Sequence, residues 1–573
     1  MKHVDYFVLI IYGAGILLIG SILSRKNKTT ADMFAVRKQS PWWLSGLSSF
    51  MSAFSAGTFV VWGGIAYKQG MVAVSILMCS GVASFFVGRF FAGKWASLNI
   101  GTVGEYVQMR FGKEAVQFYT WVGMCFKIVA MGVALYSFAV VVSSLIPLAP
   151  DNWLADPYTH KLSVPITIVL SGAIMLMYAV SGGLWAVLII DAIQFVVLTI
   201  TVLFVVPLSL ANIGGLNGFL HQAPAGFLNF SSGGFTYIFL IGWAIVHTFK
   251  LGGEWVFVQR FLSVSSAKNA RKSSNLMAIL YILSPIIWML PPMIFRIGHP
   301  GAKPEQAYIL ACAAVLPAGM MGLLIAAMFS SAASYIDGEV NVYAAAVTND
   351  VYKNLINPNA SNNNLMLVGR ASSMFIGIII IIIAISIPAF GGAEQIIITI
   401  TGLLGVAMVL PVLWGLYFSG IKQNAIWWST GFSIIVAILL KKVIPASSNN
   451  IILQFYYANT NVIEVFIGLG VPLISLCVLE VTSRHPAVGF AQIQGMIKQH
   501  ETKTDEDHAI ATFPAQLLGY SIGALSLIMF GLVIITSDGS KYLIALFAAI
   551  LLSLSLLIIF FVQRLSKKST HKI

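Results

Sequence analysis

Runs of about twenty apolar residues recur from one end of this chain to the other, and no feature constrains its fold more. The first, Tyr6 to Ser24, reads YFVLIIYGAGILLIGSILS. A hydrocarbon core of roughly 30 Å takes about 20 helical residues to cross, so each run is a candidate transmembrane helix. Only 9% of the 573 residues are charged and 58% are hydrophobic, whereas a soluble domain carries roughly 25% charged residues. The pattern predicts an all-α integral membrane protein with about 15 transmembrane helices. They fall near residues 5–24, 42–65, 70–92, 116–146, 163–181, 183–208, 234–258, 274–298, 308–347, 366–389, 395–418, 424–443, 461–482, 514–536 and 540–563. The first ends in Ser24-Arg25-Lys26 rather than a small-residue cleavage site, which predicts a retained helix and not a signal peptide.

The cations test this division, because cytoplasmic loops hold the excess of Lys and Arg. With the N-terminus outside, the inner segments take Arg25, Lys26, Lys28, Arg37 and Lys38, then Arg89, Lys94, Arg110 and Lys113, then Arg260, Lys268, Arg271 and Lys272. Lys353, Arg370, Lys422, Arg484, Lys498, Lys503, Arg564, Lys567, Lys568 and Lys572 follow, so 23 of the 33 cations lie inside, 8 lie outside, and Lys127 and Lys250 fall within spans. The expectation is a multi-pass protein of a cell (inner) membrane, N-terminus outside and C-terminus cytoplasmic. The net charge of +13 then faces anionic lipid and gives no reason to expect nucleic acid as a partner.

The sequence does not suggest an enzyme. Cys79, Cys125, Cys312 and Cys477 lie in apolar spans without CxxC spacing, which predicts neither a disulfide framework nor a zinc site. No nucleophile motif or phosphate-binding loop stands out. The longest polar stretch, 484–511, reads as a solvated loop with an amphipathic segment around Phe490 to Ile497.

Two spans are interrupted. Ser52, Ala53, Ser55, Ala56, Gly57 and Thr58 lie in the middle of the second, and Lys250, Gly252, Gly253 and Glu254 lie at matching depth in the seventh. Interrupted spans at corresponding positions point to inverted repeats with a binding site near the midplane. At such a break the freed carbonyls can coordinate a cation, provided they face protein or water. Small residues that only let helices pack closely are the alternative.

Four stretches carry a resemblance to a known family: ADMFAVRKQSPWWLSGLSSFMSAFSAGTF at 31–59, SGGLWAVLIIDAIQ at 181–194, VQRFLSVSSAKNARKS at 258–273 and AAMFSSAASYIDGEVNVYAAAVTNDVYK at 326–353. In order and spacing they resemble the sodium:solute symporters, over roughly residues 5–480. The resemblance implies a leucine-transporter-like core of five plus five inverted-repeat helices. Residues 1–41 would form a leading helix and loop, 42–232 the first repeat, 233–420 the second, and 421–573 about four trailing helices.

It also implies a sodium cage made by the carbonyls of Met51, Phe54 and Ala327 and the hydroxyls of Ser330 and Ser331. Neutral oxygens suit a hard cation that must be released again. Serines in membrane helices otherwise bond back to the carbonyl one turn earlier. Asp191, a carboxylate inside a span, is a functional candidate by cost alone and, with Ser334, would serve a second sodium or the coupling. Ala333 stands where that second site has a serine in some members, so one sodium is favoured. Asp337, Glu339 and Asn341 would line the cytoplasmic exit or a solvated helix end.

Function follows from the same resemblance: sodium-coupled import of a small polar solute by alternating access, with Na+ the implied ion. Positions that hold sugar ligands in a galactose-transporting member fall here on Leu77, Tyr281 and Ile398, while Ser80 keeps its hydroxyl. Thr58, Trp62, Tyr67, Ser80, Gly253, Glu254 and Tyr281 are candidates for a polar ligand, and Lys127 for a carboxylate. A sugar or sugar derivative ranks first, and an organic acid such as sialic acid or a monocarboxylate second. A proton-coupled amino-acid carrier of the same fold is more distant, because it needs an ionisable group where Ser330 and Ser331 stand.

Overall fold

The computed structural model describes residues 2–24, 38–98, 100–178, 184–442, 451–483, 487–501, 513–536 and 539–570. Arg25, Lys26, Lys28, Arg37, Arg484, Lys503 and Lys572, residues 181–183 of the second quoted stretch, and much of 484–511 lie outside them. Among the described residues the chain is helical throughout, and 12 helices are long and apolar enough to cross a membrane. Two shorter apolar helices, Val164–Leu176 and Tyr237–Gly253, accompany them.

The chain begins with α1 (His3–Ser24) and then α2 (Trp42–Ser52), which stops at Ala53. A π-helical turn, Thr58–Trp62, resumes the rod and leads into α3 (Gly63–Gln69). Next come α4 (Met71–Val87), α5 (Val103–Phe111), α6 (Lys113–Leu145), α7 (Val164–Tyr178) and α8 (Leu184–Ala211). The second interruption separates α9 (Tyr237–Gly253) from α10 (Trp255–Ser263) at Glu254, whose backbone is extended at φ −70° and ψ 131°. Both interruptions fall where small residues predict them, and the second half-rod starts afresh because Glu254 offers its carbonyl to the Phe257 and Val258 amides.

After α11 (Ala267–Trp288) the expected 308–347 span divides in two. Helix α12 (Pro304–Val315) ends at Leu316, held extended before Pro317, and α13 (Met320–Ala346) starts beyond Gly319, whose φ is +89°. A residue before proline is pushed out of helical space, and glycine accepts positive φ without strain. The remaining rods are α14 (Asn362–Ser386), α15 (Gly392–Thr399), a π-turn at Ile400–Leu404, and α16 (Gly405–Tyr417). Then follow α17 (Gln423–Lys442), α18 (Thr460–Thr482), α19 (Val488–Glu501), α20 (Phe513–Ile535) and α21 (Lys541–Thr570).

The core is made where α2 packs on α8 and α11, α4 on α9 and α11, and α13 on α1, α6 and α8. Helix α1 caps α13 in trans. The buried Asp5 carboxylate accepts from the Gly319 and Gly322 amides at 2.7 and 2.9 Å, satisfying donors that a helix start leaves orphaned.

Two cations expected in loops are buried instead. Arg110 donates to the carbonyls of Gly415, Phe418 and Ile421 at 3.0–3.1 Å, neutralising the end of α16. Arg260 lies inside the protein at the ion pair described below. The amphipathic stretch after residue 487 forms α19, which lies across α5 with Phe490 against Arg110 and Gln494 bonded to the Leu416 carbonyl.

Candidate functional site

The interruption at Ala53–Ser55 and the one at Glu254 face each other across a central cavity of about 180 Å³. Thr58, Trp62, Leu77, Ser80, Lys127, Glu254 and Tyr281 line it, together with His247, Lys250 and Thr401. A larger vestibule of about 510 Å³ adjoins it, extending past Asp191, Gly253, Ser331, Ser334, Asp337 and Asn341. Lys127, Lys250 and Glu254 border both spaces, so a charged cluster stands between them. Lys68 pairs with Glu394 at 2.5 Å, and the Tyr67 hydroxyl donates to the His299 carbonyl.

Three sequence expectations for the solute need correcting. Tyr67 spends its hydroxyl on the His299 carbonyl and the Ala302 amide and does not line the cavity. Ile397, not Ile398, borders the cavity, Ile398 being buried elsewhere. Lys127 is not free to meet a solute carboxylate: its ammonium pairs with Glu254 and, at 2.6 Å, with Glu339. A buried cation between two carboxylates is compensated, which is how such charges survive at this depth. Tyr281 lines the cavity but spends its hydroxyl on the Phe50 carbonyl at 3.3 Å. Gly253 lies on the vestibule, where a Cβ would meet Leu413 and Val409 at 3.0 Å.

The ion-site candidates converge from three helices. Ser331 of α13 donates its hydroxyl to the Phe54 carbonyl at 2.8 Å, and Ser330 accepts from Gln194 Nε2 of α8 at 2.6 Å. Among the described residues neither serine bonds back along its own helix, as Ser49, Ser52 and Ser84 do at 2.7–2.8 Å. Met51, Ala327, Ser330 and Ser331 are all buried. The Met51 carbonyl, however, accepts from the Phe54 amide at 2.8 Å and closes the turn where α2 ends.

Asp191 is not the lone carboxylate that the sequence suggests. Its Oδ2 accepts from Ser48 at 2.6 Å and pairs with Arg260 at 3.9 Å, while Arg260 Nε also donates to Ser48. Ser334 borders the vestibule without a hydrogen bond to Asp191 among the described residues. Asp337 accepts from Asn341 at 2.5 Å, and both border the vestibule.

Among the residues that sequence reasoning missed are Gln194, Ser48, Arg260, His247 and Thr401, and it named Lys250 at the break without placing it on the cavity. Gln194 had a signal, since it follows Asp191 by three residues and so shares its helix face. Among the described residues no group of three or more His, Cys, Asp or Glu side chains is arranged to hold a metal ion.

A polar cavity between interrupted helices, inside a bundle of membrane-length rods, is the architecture of a secondary transporter. A family model described as the sodium:solute symporter family matches residues 34–430, and the chain belongs to that family. It is 26% identical over 484 residues to a sodium/glucose cotransporter of Vibrio parahaemolyticus, covering 77% of this chain and 86% of that protein. It is 28% identical over 417 residues to an uncharacterized symporter, YidK, of Escherichia coli, covering 69% and 71%. The fold is shared with a Na+-coupled sialic acid symporter solved in a substrate-bound outward-open state. That match has a TM-score of 0.64 at 21% identity and covers 85% of this chain and 99% of that one.

Proposed function

We propose that the protein is a sodium-coupled symporter that imports a small polar solute, a sugar or sugar derivative, by alternating access. The observation that carries this reading is the 2.8 Å contact of the Ser331 hydroxyl with the Phe54 carbonyl. It joins a broken helix to a continuous one beside a polar cavity, with neutral oxygens only. Sodium, the cargo ion, is held by Met51, Phe54, Ala327, Ser330 and Ser331 in this reading, and those oxygens match a hard cation that must leave again.

The fold proposed is five plus five inverted-repeat helices, 42–232 and 233–420, between one leading and four trailing spans, fifteen in all. The N-terminus lies outside an inner membrane, so the vestibule opens to the cytoplasm and the Lys68–Glu394 side faces out. Sodium bridging α2 and α13 favours the outward-open arrangement and so raises solute affinity, a coupling of about 1–3 kcal/mol. Asp191 couples through Arg260, and Thr58, Trp62, Ser80 and Glu254 contact the solute. Support for a sugar comes from the likeness to the Vibrio sodium/glucose cotransporter. An organic acid is the second reading, favoured by Lys250 at the cavity.

The test is uptake by the purified protein in proteoliposomes against a panel of sugars, sialic acid, amino acids and short organic acids. It is run under a sodium gradient, a proton gradient or neither. Accumulation that follows the sodium gradient alone is expected, and accumulation driven by protons alone contradicts the proposal.

A further inference from the structure

Two groups at the central cavity are left over once every pair has been assigned. Lys250 borders both the cavity and the vestibule and has no hydrogen bond or salt bridge among the described residues. Glu254 uses only Oε1, on Lys127, while its Oε2 is buried with no partner among the described residues. A buried acceptor without a donor is costly, and a lysine at membrane depth that makes no hydrogen bond marks a candidate functional site. Lys250 lies in the last turn of α9, and Glu254, four residues on, is the α9–α10 break itself.

We infer that the solute is a polyhydroxy carboxylate, its carboxylate on the Lys250 ammonium and one of its hydroxyls donating to Glu254 Oε2. This rests on the symport reading and narrows it. Three observations agree. Lys127, the other cation at the cavity, is already shared between Glu254 and Glu339. Among Lys127, Lys250, Glu254 and Glu339 the charges cancel, so one carboxylate and one sodium enter without net charge. The break also presents the start of α10 to the cavity, with Val256 in its lining, and half-helix N-termini favour anionic groups. Ser80, Thr58 and Thr401 add hydroxyls, and the rings of Trp62 and Trp243 add apolar faces for the carbon chain.

A neutral sugar satisfies Glu254 but brings no carboxylate to the Lys250 ammonium, which has no hydrogen-bond acceptor among the described residues. A plain monocarboxylate does the reverse.

The experiment titrates the full-length protein, purified in detergent with sodium chloride, by calorimetry with D-gluconate, D-galactose and L-lactate. Gluconate is expected to bind at least about tenfold more tightly than either of the others. Lys250→Met is expected to weaken gluconate at least about tenfold, and Lys250→Arg to restore it to within about threefold. A single size-exclusion peak and an unchanged melting profile verify that Lys250→Met folds, and the comparison of gluconate with galactose and lactate on the wild type stands without the variant. Galactose or lactate binding as tightly as gluconate, gluconate unaffected by Lys250→Met, or no binding by any of the three overturns the inference. Sodium-driven galactose uptake that Lys250→Met leaves intact defeats the inference and keeps the symport reading. Gluconate binding that ignores sodium defeats the symport reading instead.

Discussion

Lys127, in the middle of α6, holds Glu254 at the α9–α10 break and Glu339 on α13 at the same time, the second at 2.6 Å. One ammonium thus ties three elements together at the boundary between cavity and vestibule. Both carboxylates are largely buried, and among the described residues Lys127 is the cation that pairs with each of them at salt-bridge distance.

Removing it therefore strands two buried anions. Lys127→Met should lower stability by about 3–5 kcal/mol, because breaking a buried pair leaves the partner's charge uncompensated. Glu339→Gln keeps the Lys127–Glu254 pair and should cost markedly less. Thermal unfolding in detergent checks both, and a Lys127→Met protein that melts like the wild type contradicts the arrangement.

Asp191 reaches Arg260 at 3.9 Å through a bridge shared with Ser48, linking α8 to the helix that follows the break. Asp191→Asn keeps the shape and an acceptor for Ser48 but removes the charge. Normal membrane insertion with uptake reduced at least about tenfold, equivalent to about 1.4 kcal/mol, is expected. Wild-type uptake would leave the carboxylate with a packing role only.

The trans cap of α1 on α13 has its own test. A Cβ on Gly322 would sit 2.4 Å from the Asp5 carbonyl oxygen and 2.6 Å from its Cα, both backbone atoms that cannot swing aside. Gly322→Ala should push the two helices apart at a cost of about 1–3 kcal/mol, seen as a lower melting temperature. Gly338, with open space around it, is the control: Gly338→Ala should not destabilise the protein.

The membrane makes much of this fold legible. A span must be apolar along its whole length, so each rod writes itself into the sequence as one run, and both interruptions show as small residues where a run should continue. The division at Leu316–Gly319 is harder to see, because the residues on either side are equally apolar and only Pro317 and Gly319 mark it. Pairing is where the reading stops. Ser48 and Asp191 are 143 residues apart, and Lys127 and Glu339 are 212 apart. Nothing local announces such partners, so Asp191 looked alone, Lys127 looked available to a solute, and Arg110 and Arg260 looked like loop cations. Lys250 could be named at the break from the sequence, but nothing local shows that it faces the cavity.

If Ser330 and Ser331 hold the sodium ion, the sodium concentration that gives half-maximal uptake in proteoliposomes rises at least about tenfold in the Ser330→Ala/Ser331→Ala double variant, equivalent to about 1.4 kcal/mol of lost ion binding. Sodium dependence indistinguishable from the wild type would contradict that role.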